Sequence, residues 1–381
     1  MVATLQDVEA YLRSRFFERA EVVRGVFLAL LAREHVLLLG PPGTAKSALV
    51  NEVACCLGLR YFSWLLTKFS TPEELFGPVS LQSLQEDRFA RVTAGKLPEA
   101  DVAFVDEVFK ASPAILNTLL GIMNERVFHN DGQGTRVPLI TLFGASNEVP
   151  QGDDESALQA FTARFLLRYR VEPLSEQAAF LGMLDLDEPD PSARPVLPCE
   201  DLTAAQEAAA QVVVPEEVKE AVFVLRRELA DQGVTVSDRQ WRHSLKLLQA
   251  NAYLDGRSRV EVAADFDVYC HVCWTDPSQE RLVVKTVRRV ADPLAERVME
   301  LLEEAEQQHN IAMAQKAQGA DGKDLAAVAL EANVKLKKIL QELASVASRG
   351  GPVARAKAAE ARAQVEGWNK ALLKECLGLS L

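Results

Sequence analysis

Gly40-Pro41-Pro42-Gly43-Thr44-Ala45-Lys46-Ser47 is a run of small residues closed by a cation and a hydroxyl, and its neighbours give it a meaning. The apolar run His35-Val36-Leu37-Leu38-Leu39 ahead of it predicts a buried parallel strand. After it, Ser47 to Ala54 predicts a helix with Leu49, Val53 and Leu57 on one side, ended near Gly58. Strand, small-residue loop and helix in that order aim backbone N–H groups and the positive helix end at one point. That point suits the β- and γ-phosphates of a nucleotide. Lys46 would reach the terminal phosphates, and the Ser47 hydroxyl would ligate Mg²⁺. Position 45 is Ala where the usual pattern has Gly, which keeps the side chain small but disfavours positive φ.

Two further strand ends carry matching chemistry. The run Val102 to Val105 ends in Asp106-Glu107. Asp106 is placed to hold the Mg²⁺ hydration shell, and Glu107 to polarise an attacking water. A third apolar run, Leu139 to Ser146, ends at Asn147, whose amide can orient the same water. Each feature alone has an ordinary explanation, a loop, an acidic strand end and a turn residue. Together, in this order, they point to nucleotide hydrolysis.

These groups need a frame, and the composition permits one. With 381 residues, 48% hydrophobic and 25% charged, the chain is long enough for two or three domains around a substantial core. A balance of 42 basic against 54 acidic residues gives −12, which disfavours bulk binding to polyphosphate or acidic membranes. The longest apolar stretch, Val26 to Ala32, is too short to span a bilayer. The N-terminus reads as an amphipathic helix and not as a signal peptide. Six cysteines make no dense disulfide framework, so a cytoplasmic location is expected. Cys270 and Cys273 have metal-like spacing without a second ligand pair, and are expected to pack as small apolar residues.

Alternating buried strands and amphipathic helices over 33–172 predict an α/β fold with a helix-covered parallel sheet. The strands are expected near 35–39, 61–65, 102–105, 139–145 and 165–170, with helices ahead of them in 1–32. Hairpin inserts, with surface loops as the alternative for both, are expected at 80–92, turning at Glu86-Asp87, and at 127–137, with Asn130 to Gly134 as its tip. The domains expected are a nucleotide-binding core over 1–184, an acidic, proline-rich linker over 185–200, an all-α lid over 201–289 and a helical extension over 290–381. In that extension Leu325, Ala329, Ala332, Leu336, Ile339, Leu343 and Val346 form a heptad seam, and Leu294, Val298, Leu301 and Ala305 a shorter one. Packed helices, arranged as a hairpin, are the expectation there.

With these motifs in place, the chain resembles AAA+ ATPases of the MoxR family and, within it, the RavA-like branch. The likeness rests on Gly40–Ser47, Phe69–Pro78, Gly95–Ala100, Phe104–Glu107, Ile115–Leu120 with Asn124-Glu125-Arg126, and Ala145-Ser146-Asn147-Glu148. Val236-Ser237-Asp238-Arg239 and Gly256-Arg257-Ser258 extend it, so that it covers about residues 10–285. The resemblance implies an AAA+ core with a helix-2 insert and a pre-sensor hairpin, and a ring, typically a hexamer, with ATP between subunits. Lys46 and Ser47 match the Walker A pair, Asp106 and Glu107 the Walker B pair, and Asn147 the sensor 1 residue. Arg164 matches the arginine supplied in trans to a neighbour's γ-phosphate, with Arg168 and Arg126 as competitors. The family more often has Asp where Ala163 stands. Arg239 matches the sensor 2 arginine, with Arg242 one helical turn on as its alternative.

The function implied is a chaperone-like ATP-driven motor that remodels a protein client, with a von Willebrand factor A domain protein as an expected partner. No strand-rich block follows residue 290, so a lysine decarboxylase partner is not implied. Two rival functions stand beside it. One is a nucleic-acid motor, for which Arg281, Lys285, Arg288 and Arg289 would offer a basic helix face. The other is a regulatory ATP-binding module, against which Glu107 argues.

Overall fold

The five apolar runs expected to be strands each become one, and helices occupy most of the segments between them. The structure, a computed structural model, describes residues 2–147, 156–187, 194–317, 322–349 and 352–377. Helices α1 (Val2–Arg15) and α2 (Ala20–Ala32) lead into β1 (His35–Leu39), followed by α3 (Lys46–Cys56) and β2 (Tyr61–Leu65). Next come α4 (Pro72–Phe76), α5 (Leu81–Gln85), β3 (Val102–Asp106), α6 (Pro113–Glu125), β4 (Val127–Asn130) and β5 (Gln133–Arg136). Then β6 (Thr141–Ser146), α7 (Ser156–Thr162), β7 (Phe165–Arg170) and α8 (Gln177–Leu184) complete this part.

Five strands form one sheet in the order β2-β3-β6-β1-β7, every neighbouring pair parallel. β1 and β6 are buried at every position, as strands covered on both faces must be. Parallel pairing sends the carboxyl ends of β1, β3 and β6 to one edge, with β6 flanked by the other two. α2 packs on β1 and β7 so closely that a Cβ at Gly25 would stand 2.1 Å from the Tyr169 hydroxyl.

The inserts differ in kind. β4 and β5 make the expected hairpin, turning through Asp131 and Gly132, both at positive φ. Residues 80–92 are not a hairpin: a single bridge between Val79 and Arg91 closes a loop that holds α5. Ser80 accounts for the difference, because its Oγ accepts from the Ser83 N–H and caps the helix. The two inserts are fastened together. Arg88 pairs with Asp131 at 2.9 Å, and the Asn130 amide exchanges two hydrogen bonds with the Arg91 backbone, at 2.7 and 3.1 Å.

The chain divides into two compact units, residues 1–222 with 229–283, and residues 223–228 with 284–381. The helices of the second half are α9 (Cys199–Ala210), α10 (Glu216–Asp231), α11 (Asp238–Leu254), α12 (Val262–Asp265) and α13 (Glu280–Ala291), of which α10 and α13 cross the division. The acidic stretch before them ends tied to the core, although residues 188–193 lie outside those described. Arg194 makes two bonds to Glu52, at 2.8 and 3.0 Å, and the Leu197 N–H donates to the Cys56 carbonyl. α9 and α11 pack on α2, and Arg24 of α2 reaches Asn251 and Asp255. Residue 201 thus falls inside one compact unit.

Asp265 holds the end of this helical region. Its fully buried carboxylate accepts from Asn251, from both terminal nitrogens of Arg257 and from the Glu261 N–H. Removing one partner of a buried pair strands the other, so Asp265→Ala should cost about 3–5 kcal/mol in denaturant unfolding. An unchanged unfolding midpoint would refute that role.

In the second unit α14 (Pro293–Ala317), α15 (Gly322–Arg349) and α16 (Pro352–Leu377) each touch the other two. The tail is thus a three-helix bundle and not the hairpin expected. Its seams are where the heptads put them: Ala329, Ala332, Leu336, Ile339, Leu343 and Val346 are buried, as are Val298, Leu301 and Ala305. Ala358, Ala361, Val365 and Leu372 of α16 fill the same core. Among the described residues no helix is long and apolar enough to cross a membrane.

Candidate functional site

The loop leaving β1 is bound to the strand beside it before it turns. The Gly40 N–H donates to the Ser146 carbonyl at 3.0 Å. A Cβ at Gly40 would stand 2.2 Å from the Val171 carbonyl oxygen, with φ at +152°, so only glycine fits. Ala45 adopts the left-handed conformation that its side chain disfavours, with φ of 62°, at a strain of about 1 kcal/mol. It also precedes α3 without a side-chain cap, which leaves the first-turn N–H groups for another acceptor. Thr44 closes the loop on itself, its hydroxyl donating to the Pro41 carbonyl at 3.0 Å, while Pro42 and Gly43 are exposed.

Lys46 is buried, and its ammonium donates to the carbonyls of Gly40 and Pro41, both at 2.8 Å, and to the Thr44 hydroxyl at 3.3 Å. Burial pushes its pKa down, and the carboxylates of Asp106 and Glu107 push it back up. The loop cation and the second strand tip are therefore close enough to feel each other. Ser47 is exposed in the first turn of α3.

Asp106 closes β3 opposite Leu65, and its Oδ1 accepts from the Glu107 N–H at 2.9 Å. Glu107, like Ala45, lies in the left-handed region, with φ of 52°, and its Oε2 meets Lys110 Nζ at 3.3 Å. Asn147 is exposed one residue beyond Ser146, the residue that ties β6 to the loop. Glu148, the last of its motif, lies outside the described residues. Lys46, Ser47, Asp106, Glu107 and Asn147 thus share the carboxyl edge of the sheet. This is where ligands bind in open parallel sheets.

Arg164 and Arg239 lie at the other edge. Arg164 sits just ahead of Phe165, which pairs with His35 at the start of β1. Arg239, in the first turn of α11, donates to Asn124 Oδ1 at 2.8 Å, at the end of α6. α11 is held there by His243 and Lys246, which meet Glu34 at 2.8 and 3.2 Å. The two arginines share a cleft of about 520 Å³ that is also lined by His35, Arg126, His243 and Lys246. Burial lowers the Arg164 pKa, and the Arg239 charge lowers it further. A strand of this length spans about 16 Å, so neither arginine is beside Lys46 of its own chain.

The competitors separate by burial. Arg168 is wholly buried, and its terminal nitrogens donate to the carbonyls of Val272, Trp274 and Thr162 at 3.0, 2.8 and 3.4 Å. It cannot present itself to another molecule. Arg126 braces the turn after α6, donating to the carbonyls of Arg33 and Ile140, and burial pushes its pKa down to about 10. Arg242 is exposed and does not line the cleft. Arg168 competes with Arg164 in the sequence because burial by a segment more than a hundred positions away leaves no local mark.

The carboxyl edge fits a magnesium nucleotide. It offers uncapped N–H groups, a lysine held by loop oxygens, a serine hydroxyl and two carboxylates, the donor set for phosphate and for a hard cation. Cys270 and Cys273 are buried, and burial pushes the Cys273 thiol up, as for a small apolar residue. Among the described residues no three His, Cys, Asp or Glu side chains cluster to hold a metal. In the inserts Arg88 pairs with Asp131 and Glu86, and Arg91 with Glu73, while Arg136 is exposed at the end of β5.

Two family models match. The one over residues 3–185 is described as the MoxR domain in the MoxR-vWA-beta-propeller ternary systems, and the one over residues 217–287 as an AAA lid domain. An uncharacterized protein of Methanocaldococcus jannaschii is 37% identical over 292 residues, which is 76% of this chain and 77% of that one. A second from the same organism is 38% identical over 300 residues, covering 78% and 77%. Protein MoxR of Paracoccus denitrificans is 28% identical over 174 residues, covering 45% of this chain and 50% of its own. A solved structure from Cytophaga hutchinsonii has the same fold, with a TM-score of 0.63 at 16% identity, over 76% of this chain and 94% of that one.

Proposed function

The chain belongs to the MoxR family of AAA+ ATPases, and on that premise we propose that it hydrolyses ATP between subunits of a ring and uses the cycle to remodel a protein client. The observation that carries this is the division of the site residues between the two edges of one sheet. At the carboxyl edge are the groups that hold and attack a triphosphate, and at the amino edge is a pair of arginines. In a head-to-tail ring the arginine cleft of one subunit meets the triphosphate of the next.

In this reading Gly40 to Ser47 wrap the phosphates, and Lys46 moves from the loop carbonyls to the terminal phosphate oxygens. Ser47 and Asp106 would hold Mg²⁺, Asp106 through water, and the ion would supply neutralisation of the phosphate charge. Glu107 takes the proton of the attacking water, and Asn147 orients it. Arg164 from the neighbour offsets charge that spreads over the transferred group, and Arg239 joins it from the lid of the same neighbour.

A hexamer is the ring we propose, on the family resemblance. A von Willebrand factor A domain protein and a β-propeller protein are the partners proposed, because the matching family model describes such ternary systems. The RavA-like placement rests on the motifs that carry the resemblance. The helical tail lends no support to a lysine decarboxylase partner. A cytoplasmic location follows from the modest cysteine content. The ion pairs of Arg88 and Arg91 in the first insert, and Arg289 paired with Glu228 at 2.8 Å, weigh against a nucleic-acid motor.

The decisive test is nucleotide binding. Lys46→Ala should weaken ATP binding by about 10- to 150-fold, the loss of a charge-assisted hydrogen bond to phosphate worth about 1.5–3 kcal/mol. Titration calorimetry with Mg-ATP on folded protein measures it. Absence of any magnesium-dependent heat for the unaltered chain would overturn the proposal.

A further inference from the structure

Arg168 is a buried cation with no carboxylate partner, which is costly unless its donors are used. Its terminal nitrogens are used on backbone oxygens from two places, while its Nε is buried without a partner. Nη1 donates to the carbonyls of Val272 and Trp274 in the lid region, and Nη2 to the carbonyl of Thr162. Thr162 ends α7, two residues before Arg164. The turn that follows is held by the Arg164 N–H on the Phe161 carbonyl at 3.0 Å. It is also held by the rings of Phe161 and Phe165, edge to face at 5.2 Å and both buried. Arg164 thus projects from a link of two residues between α7 and β7, with Arg168 at its root.

We propose that Arg168 is a positioning residue for Arg164: its guanidinium fork ties the lid carbonyls at 272 and 274 to the base of the turn, so that the position of the lid sets the aim of the arginine offered to the neighbouring subunit. This rests on the reading of Arg164 as the group acting in trans. The planar fork matters because its two ends point to different elements, and a point charge cannot serve both. Arg168 touches neither nucleotide nor water in this role. Burial lowers its pKa to about 10, which still leaves it charged at neutral pH, so both ends remain donors.

The test uses the full chain with Arg168→Lys, whose single ammonium can hold the lid carbonyls but not Thr162 as well. The turnover number should fall by up to about 100-fold, the scale of loss from a misplacement of about 1 Å, with KM for ATP unchanged. Mixing with inactive Lys46→Ala subunits should restore part of the turnover, because those subunits bring a well-aimed Arg164 to the intact loop of the variant. In the double variant Arg164→Ala/Arg168→Lys, the second change should add nothing to the first. A wild-type turnover number for Arg168→Lys would overturn the proposal. So would a loss that mixing fails to restore while Arg164→Ala is restored under the same conditions. If Arg164→Ala is itself not restored, the reading of Arg164 fails and this proposal with it. Arg168→Gln, with the same expectations, is the second variant should the first not fold. Collapse of both would assign Arg168 to core packing alone and overturn the positioning role.

Discussion

Glu107→Gln is expected to slow ATP turnover by about 10²- to 10⁴-fold, the range for loss of a positioned general base, while ATP affinity is retained. The substitution is nearly isosteric, so the bond from the residue 107 N–H to Asp106 Oδ1 survives, as does the left-handed backbone at this position. The link to Lys110 weakens from an ion pair to a neutral contact. What disappears is the ability to accept a proton. Asp106, Ser47 and Lys46 are untouched, so the magnesium nucleotide should bind and remain uncleaved. Phosphate release and calorimetry on the same preparation separate the two effects. Hydrolysis at the wild-type rate would remove Glu107 from the chemistry.

The carboxyl edge was legible in the sequence because every part of it is local. A buried strand announces itself by a short apolar run, and the residues that follow must sit at its tip. Three such runs gave Lys46, Asp106 and Asn147, and parallel pairing brought them to one edge without further information. Ala45 was legible only in part. Its side chain argued against positive φ, yet the loop holds it there, since Gly40 and α3 fix both ends of the turn. Local strain of that kind persists where the surroundings over-determine a conformation.

Tertiary contacts decided the rest. Residues 80–92 contain hairpin signals, but Ser80 caps α5 and the loop is closed by Asn130 and Asp131 of the other insert. In the last helix of the tail Ala358 and Ala361 give only a weak hydrophobic pattern, although they bury nearly as completely as the leucines. Arg257, part of a motif that carried the family likeness, acts in this structure as the anchor for Asp265. Arg239 belongs to a lid helix packed on α2, which puts it at the edge remote from Lys46. A motif names such a residue. It does not say which subunit's nucleotide the residue can reach.

That distinction sets the other large effect: Arg164→Ala should lower turnover by about 10³-fold or more, the scale of a lost arginine at a phosphoryl-transfer site. Within one chain Arg164 stands about one strand length from Lys46, further than its side chain can extend. Its Nε is buried without a hydrogen-bond partner, and the nearby Arg239 charge disfavours its own. Two like charges held together in a cleft gain most when an anion arrives between them. A neighbour's phosphate is an anion of the right kind, and a head-to-tail interface delivers it. Mixing tests the direction of supply. Arg164→Ala subunits keep an intact phosphate loop, and Lys46→Ala subunits keep an intact arginine. Random one-to-one mixing in a ring therefore makes about a quarter of the junctions whole. Turnover should rise from near zero in either pure protein to a measurable fraction of wild type in the mixture. If mixed rings form, as judged by co-elution of the two tagged variants, and turnover stays at the level of the pure variants, Arg164 does not act on the neighbour.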